Sequence, residues 1–216
     1  MKEGRIEKKF VYQEGDDSYK YFLISGMFKE IYNERKVNSI YFDTEDLKNV
    51  WDNINGFSDR LKIRLRWYNN ISNSEVFIEE KIKKNITTIK KVKSVGTFSN
   101  FNELNEFINS KKFIFHKSII DKKINMKKTI FVSYNRKYFQ DTFKKLRVTL
   151  DKNIKIYLKY PSKVINIDKN ILEIKFSPKN FSYCNNFIAN NNLNNRNKKY
   201  SKYVNSFLEL NESGLI

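Results

Sequence analysis

Residues 60–67 read RLKIRLRW, and this stretch alternates basic and apolar side chains without a break. Successive side chains of a β-strand project to opposite faces, so the stretch predicts a strand with one cationic face and one apolar face. The cationic face would comprise Arg60, Lys62, Arg64 and Arg66, and the apolar face Leu61, Ile63, Leu65 and Trp67. An apolar face of this kind has to pack against another layer of the protein.

Three further segments repeat the period of two: EVFIEEKIK at 75–83, RVTLD at 147–151 and LEIKF at 172–176. Their polar faces join Glu79 with Lys81, Arg147 with Thr149, and Glu173 with Lys175. Two arrangements fit this pattern. The strands could show their charges to water on an open sheet, or they could close into a barrel with a cationic lumen. A cationic lumen would bind a polyanion.

Composition indicates one globular domain over residues 1–216 with an anionic partner. Apolar residues make up 40% of the chain and aromatic residues 15%, while the formal net charge is +18. Such a charge favours nucleic acid, a membrane surface or a phosphorylated molecule. The single cysteine, Cys184, is expected to be a packing residue and suits a reducing compartment. No transmembrane segment and no signal peptide is predicted, which favours a cytoplasmic protein.

Periodicity and turn residues predict an antiparallel, mainly β chain with several helices. Strands are expected at 5–12, 37–43, 60–68, 76–83, 87–95, 129–139, 145–151, 163–167 and 171–176. Helices are expected within 18–33 and at 46–54, 101–108, 182–189 and 201–210, with Ser99 or Asn100 capping the third and Ser201 the last. The Asn-rich stretch 185–199, which overlaps the end of the fourth helix, is interpreted as a flexible loop.

Several chemistries are excluded by the absence of their motifs. The six glycines form neither GxxxxGK nor GxGxxG, and His116 is the only histidine, so a P-loop, a dinucleotide fold and a Ser/His or Cys/His triad are disfavoured. Phosphate chemistry remains, because it needs chiefly Arg, Lys and a carboxylate that can hold a divalent ion. A solvated basic surface is the plainer alternative for any one charged stretch.

Eight motifs, in order and over nearly the whole chain, carry a resemblance to a known family. They are RIEKKF (5–10), SIYFDT (39–44), RLKIRLRWY (60–68), IEEK (78–81), YNRKYF (134–139), RVTLD (147–151), LEIKF (172–176) and KYSKY (199–203). Together they resemble the catalytic domain of the vacuolar transporter chaperone family, the polyphosphate polymerases among the CYTH-like triphosphate tunnel metalloenzymes. The resemblance implies a closed eight-stranded antiparallel tunnel with a charged lumen and with helices packed outside.

The resemblance also implies roles for residues that match the family's motifs. It implies a catalytic set of Arg64, Arg66, Lys81, Arg136, Arg147 and Glu173, with Glu173 also holding Mn²⁺ or Mg²⁺. It implies phosphate-binding roles for Lys9, Lys62, Lys175, Lys199, Ser201 and Lys202, the last three at one tunnel mouth. One departure is clear: Arg5 stands where the wider superfamily has its first glutamate, so Glu7 is the only acid of that motif. This favours the polymerase branch and leaves few carboxylates for metal.

The function implied is transfer of the terminal phosphoryl group of ATP to a growing inorganic polyphosphate chain. Two alternatives stay open: hydrolysis of tripolyphosphate or a nucleoside triphosphate on the same fold, and non-catalytic binding of polyphosphate or nucleic acid. The aromatic residues Trp67, Tyr68, Tyr134 and Tyr138 interleave with basic ones, as in proteins that stack single-stranded bases. Trp67, however, falls on the apolar face, which makes nucleic acid the less favoured partner.

Overall fold

A computed structural model describes residues 4–85, 87–110, 126–158 and 160–215. The strands are β1 (Ile6–Gln13), β2 (Phe28–Asp43), β3 (Arg60–Tyr68), β4 (Glu75–Lys84), β5 (Thr87–Thr97), β6 (Lys127–Asp141), β7 (Leu146–Tyr157), β8 (Val164–Ile167) and β9 (Lys169–Phe176). The helices are α1 (Lys20–Ile24), α2 (Lys48–Ile54), α3 (Phe101–Asn109), α4 (Phe181–Asn190) and α5 (Lys202–Glu212). His116 lies outside the described residues.

The strands of the described ranges form one antiparallel sheet in the order β1-β9-β7-β6-β2-β3-β4-β5, with β8 paired to β7. The mainly β, antiparallel architecture with several helices is therefore confirmed. The hydrogen-bonded path begins at β1 and ends at β5, and no pairing between these two strands is found in the described residues. The sheet nevertheless curls, as the ion pair between Glu7 of β1 and Lys81 of β4 shows, with Oε2 and Nζ 2.5 Å apart.

The prediction of a long helix within residues 18–33 is wrong. Only Lys20–Ile24 is helical, and β2 begins at Phe28, well before the expected start at residue 37. Gly26 stands between them at φ +80°, a left-handed conformation that ends the helix. The segment that follows gains backbone hydrogen bonds from β6, whose pairing with β2 starts at Phe28 and Asp141. Pairing between distant strands therefore outweighs the local helical spacing.

The apolar faces of the strands pack outward beneath the helices. One cluster joins Phe10, Val148 and Ile174 of the sheet to α1 and α4, and it contains Cys184, which is fully buried as predicted. A second cluster joins the apolar face of β3 to α3 through Leu104. Trp67 is buried in that second cluster, with its ring centroid 5.4 Å from that of Phe131. The prediction that Trp67 faces away from the arginines is confirmed.

Helix α5 packs on the other face of the sheet, near the end where β2 finishes. The side chain of Ser201 caps it by accepting a hydrogen bond from the backbone N–H of Val204, as expected. Tyr203 stacks on Tyr41 at 4.9 Å between ring centroids, and its hydroxyl donates to Asp43 Oδ2 at 2.7 Å. Helix α5 therefore fills one end of the space that the curled sheet encloses, so the prediction that the helices pack outside is wrong for α5, whose apolar side chains are buried against that face. Charged side chains line the remainder of the space.

Candidate functional site

The charged residues of the alternating strands share the concave face of the curled sheet, which we call the inner face. Its cations are Lys9, Lys62, Arg64, Arg66, Lys81, Lys90, Arg136, Lys175 and Lys202, and its carboxylates are Glu7, Glu79, Asp151 and Glu173. The cations outnumber the carboxylates. Like charges this close repel at the reduced dielectric of a protein cleft, so the inner face favours an added anion.

Arg64 and Arg66 lie next to each other on β3 and share one acid, Glu79 of β4. Both Nε and Nη2 of Arg64 donate to Glu79 Oε2, at 2.8 and 2.6 Å. Arg66 lies 3.7 Å from the same oxygen, and its guanidinium donates to the hydroxyls of Ser39 and Tyr134. Burial would raise the pKa of Glu79, but the two guanidinium groups hold it far below its usual range. Glu79 thus fixes both arginines on the inner face.

Glu173 of β9 lies in register with Lys9 of β1 and with Thr149 of β7. Its Oε1 is 2.9 Å from Lys175 Nζ, and its Oε2 is 3.7 Å from Lys9 Nζ. Burial opposes ionisation of this carboxyl, yet the charges of Lys175 and Lys9 lower its pKa well below the ordinary value. Glu173 is therefore a buried carboxylate that stays ionised at neutral pH.

Glu7 is the second acid in this part of the inner face. Its partner Lys81 has a lowered pKa because it is buried, an effect that the charge of Glu7 only partly offsets. Burial and the carboxylate of Glu173 raise the pKa of Glu7, but the charges of Lys81 and Lys175 outweigh both effects and the pKa falls below its ordinary value. The two carboxylates are therefore neighbours that are both held by lysines.

Arg136 of β6 and Lys202 of α5 converge on one buried acid, Asp151 of β7. Arg136 Nε and Nη2 reach the two carboxylate oxygens at 2.5 and 2.7 Å, and Lys202 Nζ donates to Oδ2. Asp151 is fully buried, and the two cations lower its pKa to about 2 against the effect of burial. Lys202 is buried here as well, so its ammonium lies inside the structure rather than at an open mouth.

The remaining candidate residues lie at the two ends of the inner face. Near the start of α5, Lys62 Nζ donates to Ser201 Oγ at 2.7 Å, and Lys199 Nζ donates to the carbonyl oxygen of Asn53. Burial and the charges of Lys9 and Lys81 lower the pKa of Lys62 well below its usual value. At the opposite end Arg147 is exposed and lies in register with Lys175.

Sequence reasoning assigned no role to Glu79, Asp151 or Ser39, which hold the arginines in place, or to Lys90, and it considered Tyr134 only as a stacking residue. The period-two pattern did indicate on which face the two acids lie. Glu79 shares a strand face with Lys81, and Asp151 shares a strand face with Arg147. The pattern gave no means of pairing either acid with its arginine. Lys90 Nζ lies 2.6 Å from Glu79 Oε1. The sequence of β5 does not alternate strictly between charged and apolar residues, so it gave no reason to single out Lys90.

The acids of the inner face could supply only some of the ligands that a divalent metal ion needs. Among the described residues no group of three or more His, Cys, Asp or Glu side chains could hold a metal. Mg²⁺ and Mn²⁺ prefer oxygen ligands, and Mg²⁺ is commonly bound by one or two carboxylates while phosphates and water complete its shell. Glu173 and its neighbour Glu7 fit that donor set, provided that the substrate supplies further oxygen atoms.

The architecture is a curled antiparallel sheet with a basic inner face, flanked by helices and with α5 at one end of the enclosed space. The VTC domain model matches residues 5–211, so the chain belongs to the VTC domain family. No curated protein matches the sequence. Within the described residues, no helix has both the length and the apolar character to cross a lipid bilayer.

Solved structures with this fold cover nearly the whole chain. A Pyrococcus horikoshii OT3 protein matches with TM-score 0.57 and 13% identity, covering 97% of this chain and 99% of its own. A Bacillus halodurans protein named as a candidate adenylate cyclase matches with TM-score 0.57 and 13% identity, covering 92% and 94%. A Hippeastrum protein, assigned as an adenylyl cyclase and described with a dominant triphosphatase activity, matches with TM-score 0.52 and 12% identity, covering 98% and 97%. At these identities the likeness establishes the fold alone.

Proposed function

We propose that this protein is a polyphosphate polymerase, which transfers the terminal phosphoryl group of ATP to the end of an inorganic polyphosphate chain. Family membership and the excess of cations on the inner face support the proposal. Arg64, Arg66, Lys81, Arg136 and Arg147 would stabilise the charge that develops on the transferring phosphoryl group. The phosphates on either side would contact Lys9, Lys62, Lys175, Lys199, Ser201 and Lys202.

The ion pairing of the inner-face carboxylates is the observation that favours transfer to phosphate over transfer to water, because each acid already contacts a lysine or an arginine. A general base works best with a pKa near the operating pH. The pKa values of Glu7, Glu79, Asp151 and Glu173 are all lowered, so each is a weak base for activating water. A polyphosphate end needs no base, because it is already an anionic nucleophile. The arrangement therefore suits a phosphate acceptor.

We further propose that Glu173, with Glu7 beside it, holds Mn²⁺ or Mg²⁺ together with substrate oxygens. When bound, such an ion would neutralise charge on the phosphates of the triphosphate. Glu7 and Lys81 come from opposite sides of the curl, and their contact supports an eight-stranded tunnel that closes around the substrate. One continuous sheet supports a single domain over residues 1–216, and a lone buried thiol at Cys184 agrees with a cytoplasmic location.

Hydrolysis of tripolyphosphate or a nucleoside triphosphate is the second candidate function. The Hippeastrum structure, with its dominant triphosphatase activity, favours it. Non-catalytic binding of polyphosphate or nucleic acid is a third candidate, and Glu173 argues against it. A carboxylate on the inner face repels a polyanion unless a cation stands between them.

The test is to incubate purified protein with ATP and Mn²⁺, and separately with Mg²⁺, and to resolve the products on a gel stained for polyphosphate. We expect a ladder of polymer that depends on the metal. The Glu173→Gln variant should form none, while the Glu45→Gln variant, whose carboxylate is 92% exposed, should match the wild type. Release of free phosphate without polymer would replace the polymerase proposal by the hydrolase one.

A further inference from the structure

Three tyrosines and one arginine form a cluster at the end of the inner face away from α5. The guanidinium carbon of Arg35 lies over the rings of Tyr32, Tyr68 and Tyr138, at 5.4, 5.8 and 6.0 Å from their centroids. The rings of Tyr32 and Tyr138 meet edge to face at 5.7 Å. We call this group the tyrosine cluster.

A β-bulge in β2 builds the tyrosine cluster. Tyr32 pairs with Tyr138 and Arg35 pairs with Arg136, so three steps along β2 oppose two steps along β6. In a regular strand, residues three apart face opposite sides of a sheet. The bulge instead turns both Tyr32 and Arg35 to the inner face, which is the way in which bulges re-aim side chains beside functional sites.

The tyrosine cluster is more than internal packing, because part of it is open to solvent. Tyr32 is 51% exposed. Within the described ranges Arg35 forms no ion pair with a carboxylate, and its guanidinium contacts the faces of the three rings instead. Exposed aromatic rings with an adjacent guanidinium are the surface on which nucleobases stack, through ring contact and cation–π attraction.

The tyrosine cluster also adjoins the cations of the inner face. Tyr138 is two residues from Arg136, and same-face neighbours on a strand stand about 7 Å apart. Burial raises the pKa of Tyr138 to about 12, with the nearby charges of Arg136 and Arg66 opposing the change. The inner face thus carries Tyr138 next to Arg136, and Arg66 reaches the same strand through its hydrogen bond to Tyr134. A nucleotide with its phosphates on these arginines would place its base within reach of the exposed rings.

We propose that the tyrosine cluster binds the base of a nucleoside triphosphate whose phosphates lie on the inner face. This inference rests on the proposed function, and it adds recognition of the nucleoside to recognition of the triphosphate. Tyr32 and Tyr138 supply the stacking surface, and Arg35 orients their rings and adds its own planar face. A purine covers more of that surface than a pyrimidine and is the preferred base.

The test compares the binding of ATP with that of tripolyphosphate, by calorimetry without divalent metal so that no turnover occurs. Tyr32→Ala and Tyr138→Ala should each raise the dissociation constant of ATP about tenfold, which is about 1.4 kcal/mol and within the range for stacking on one aromatic ring. The dissociation constant of tripolyphosphate should change less than twofold. Tyr32→Phe keeps the ring and should keep ATP affinity, as should Tyr21→Ala, which removes an 82% exposed tyrosine elsewhere.

The outcomes separate the two proposals. If the wild type binds tripolyphosphate but the alanine variants bind ATP as it does, the tyrosine cluster is not a base site and the inference fails alone. The inference also fails if both ligands weaken equally, since a structural defect then explains the loss. If the wild type binds neither ATP nor tripolyphosphate, the proposed function is wrong, and the inference that rests on it is wrong as well. Oligothymidylate binding that the same variants abolish would replace the nucleotide by single-stranded nucleic acid.

Discussion

Replacing Asp151 by asparagine should destabilise the protein strongly, because it leaves two buried cations without a counter-charge. The pKa of Asp151 falls from an ordinary 3.8 to about 2 in the folded protein. At about 1.4 kcal/mol per pKa unit, this difference contributes about 2–3 kcal/mol to the free energy of unfolding at neutral pH. Breaking a buried ion pair by removing one partner costs about 3–5 kcal/mol. We therefore expect Asp151→Asn to lose about 3 kcal/mol.

For a chain of this size, about 3 kcal/mol corresponds to a melting temperature lowered by about 6–12 °C. Circular dichroism melts and urea titrations at pH 7 measure the loss directly. Glu45→Gln is the matched control, because its partner Lys127 lies 3.1 Å away at the surface and exposed pairs contribute little. A melting temperature for Asp151→Asn equal to that of the wild type would refute the reasoning.

The pH dependence gives an independent check on the same residue. Because folding lowers the pKa of Asp151, its contribution is complete above the unfolded value and is lost as the pH falls through the folded one. The difference in unfolding free energy between wild type and Asp151→Asn should therefore shrink as the pH falls from 3.8 toward about 2. A difference that stays constant through this window would show that the lost stability has another origin.

Other perturbations of the inner face and core have expected outcomes too. Arg64→Ala with Arg66→Ala should abolish turnover while circular dichroism still reports a folded protein; polymer synthesis near the wild-type rate would remove both residues from the site. Glu173→Gln should lose metal-dependent activity and keep or tighten metal-free tripolyphosphate binding by calorimetry, because it deletes a metal ligand and a repulsive charge together; joint loss of binding and activity would indicate a structural role. Burial raises the pKa of Cys184 to about 11, so a maleimide should label this thiol only after unfolding, and rapid labelling of the native protein would contradict its burial.

The period-two pattern predicted the faces of the strands because it depends only on local geometry. It placed Trp67 on the face opposite Arg64 and Arg66, while the choice of the inner face for the arginines came from the family resemblance. Local capping rules correctly placed Ser201 at the start of α5. The Asn-rich stretch was predicted less well. The helix expected at 182–189 is confirmed as α4, but Leu193 beyond it is buried against the core, so an apolar residue among the asparagines anchors a segment expected to be flexible.

The partners within the site could not be predicted, because they join residues far apart in sequence. Glu7 and Lys81 are separated by 74 positions and Asp151 and Lys202 by 51. No spacing rule connects such residues until the register of every intervening strand is known. The tyrosine cluster adds a second reason: without the bulge in β2, strict alternation would place Tyr32 and Arg35 on opposite faces.

The most direct test of the central claim, that the inner face binds a phosphate chain, is a melting experiment with tripolyphosphate at moderate salt. At about a hundredfold excess over its dissociation constant, a ligand stabilises the folded state by about 2.7 kcal/mol, which is about 5–11 °C for a protein of this size. We predict that shift for the wild type, a much smaller one with equal monophosphate, and almost none for Arg64→Ala with Arg66→Ala. Stabilisation by single-stranded DNA as strong as that by tripolyphosphate, with the double variant responding like the wild type, would contradict the account.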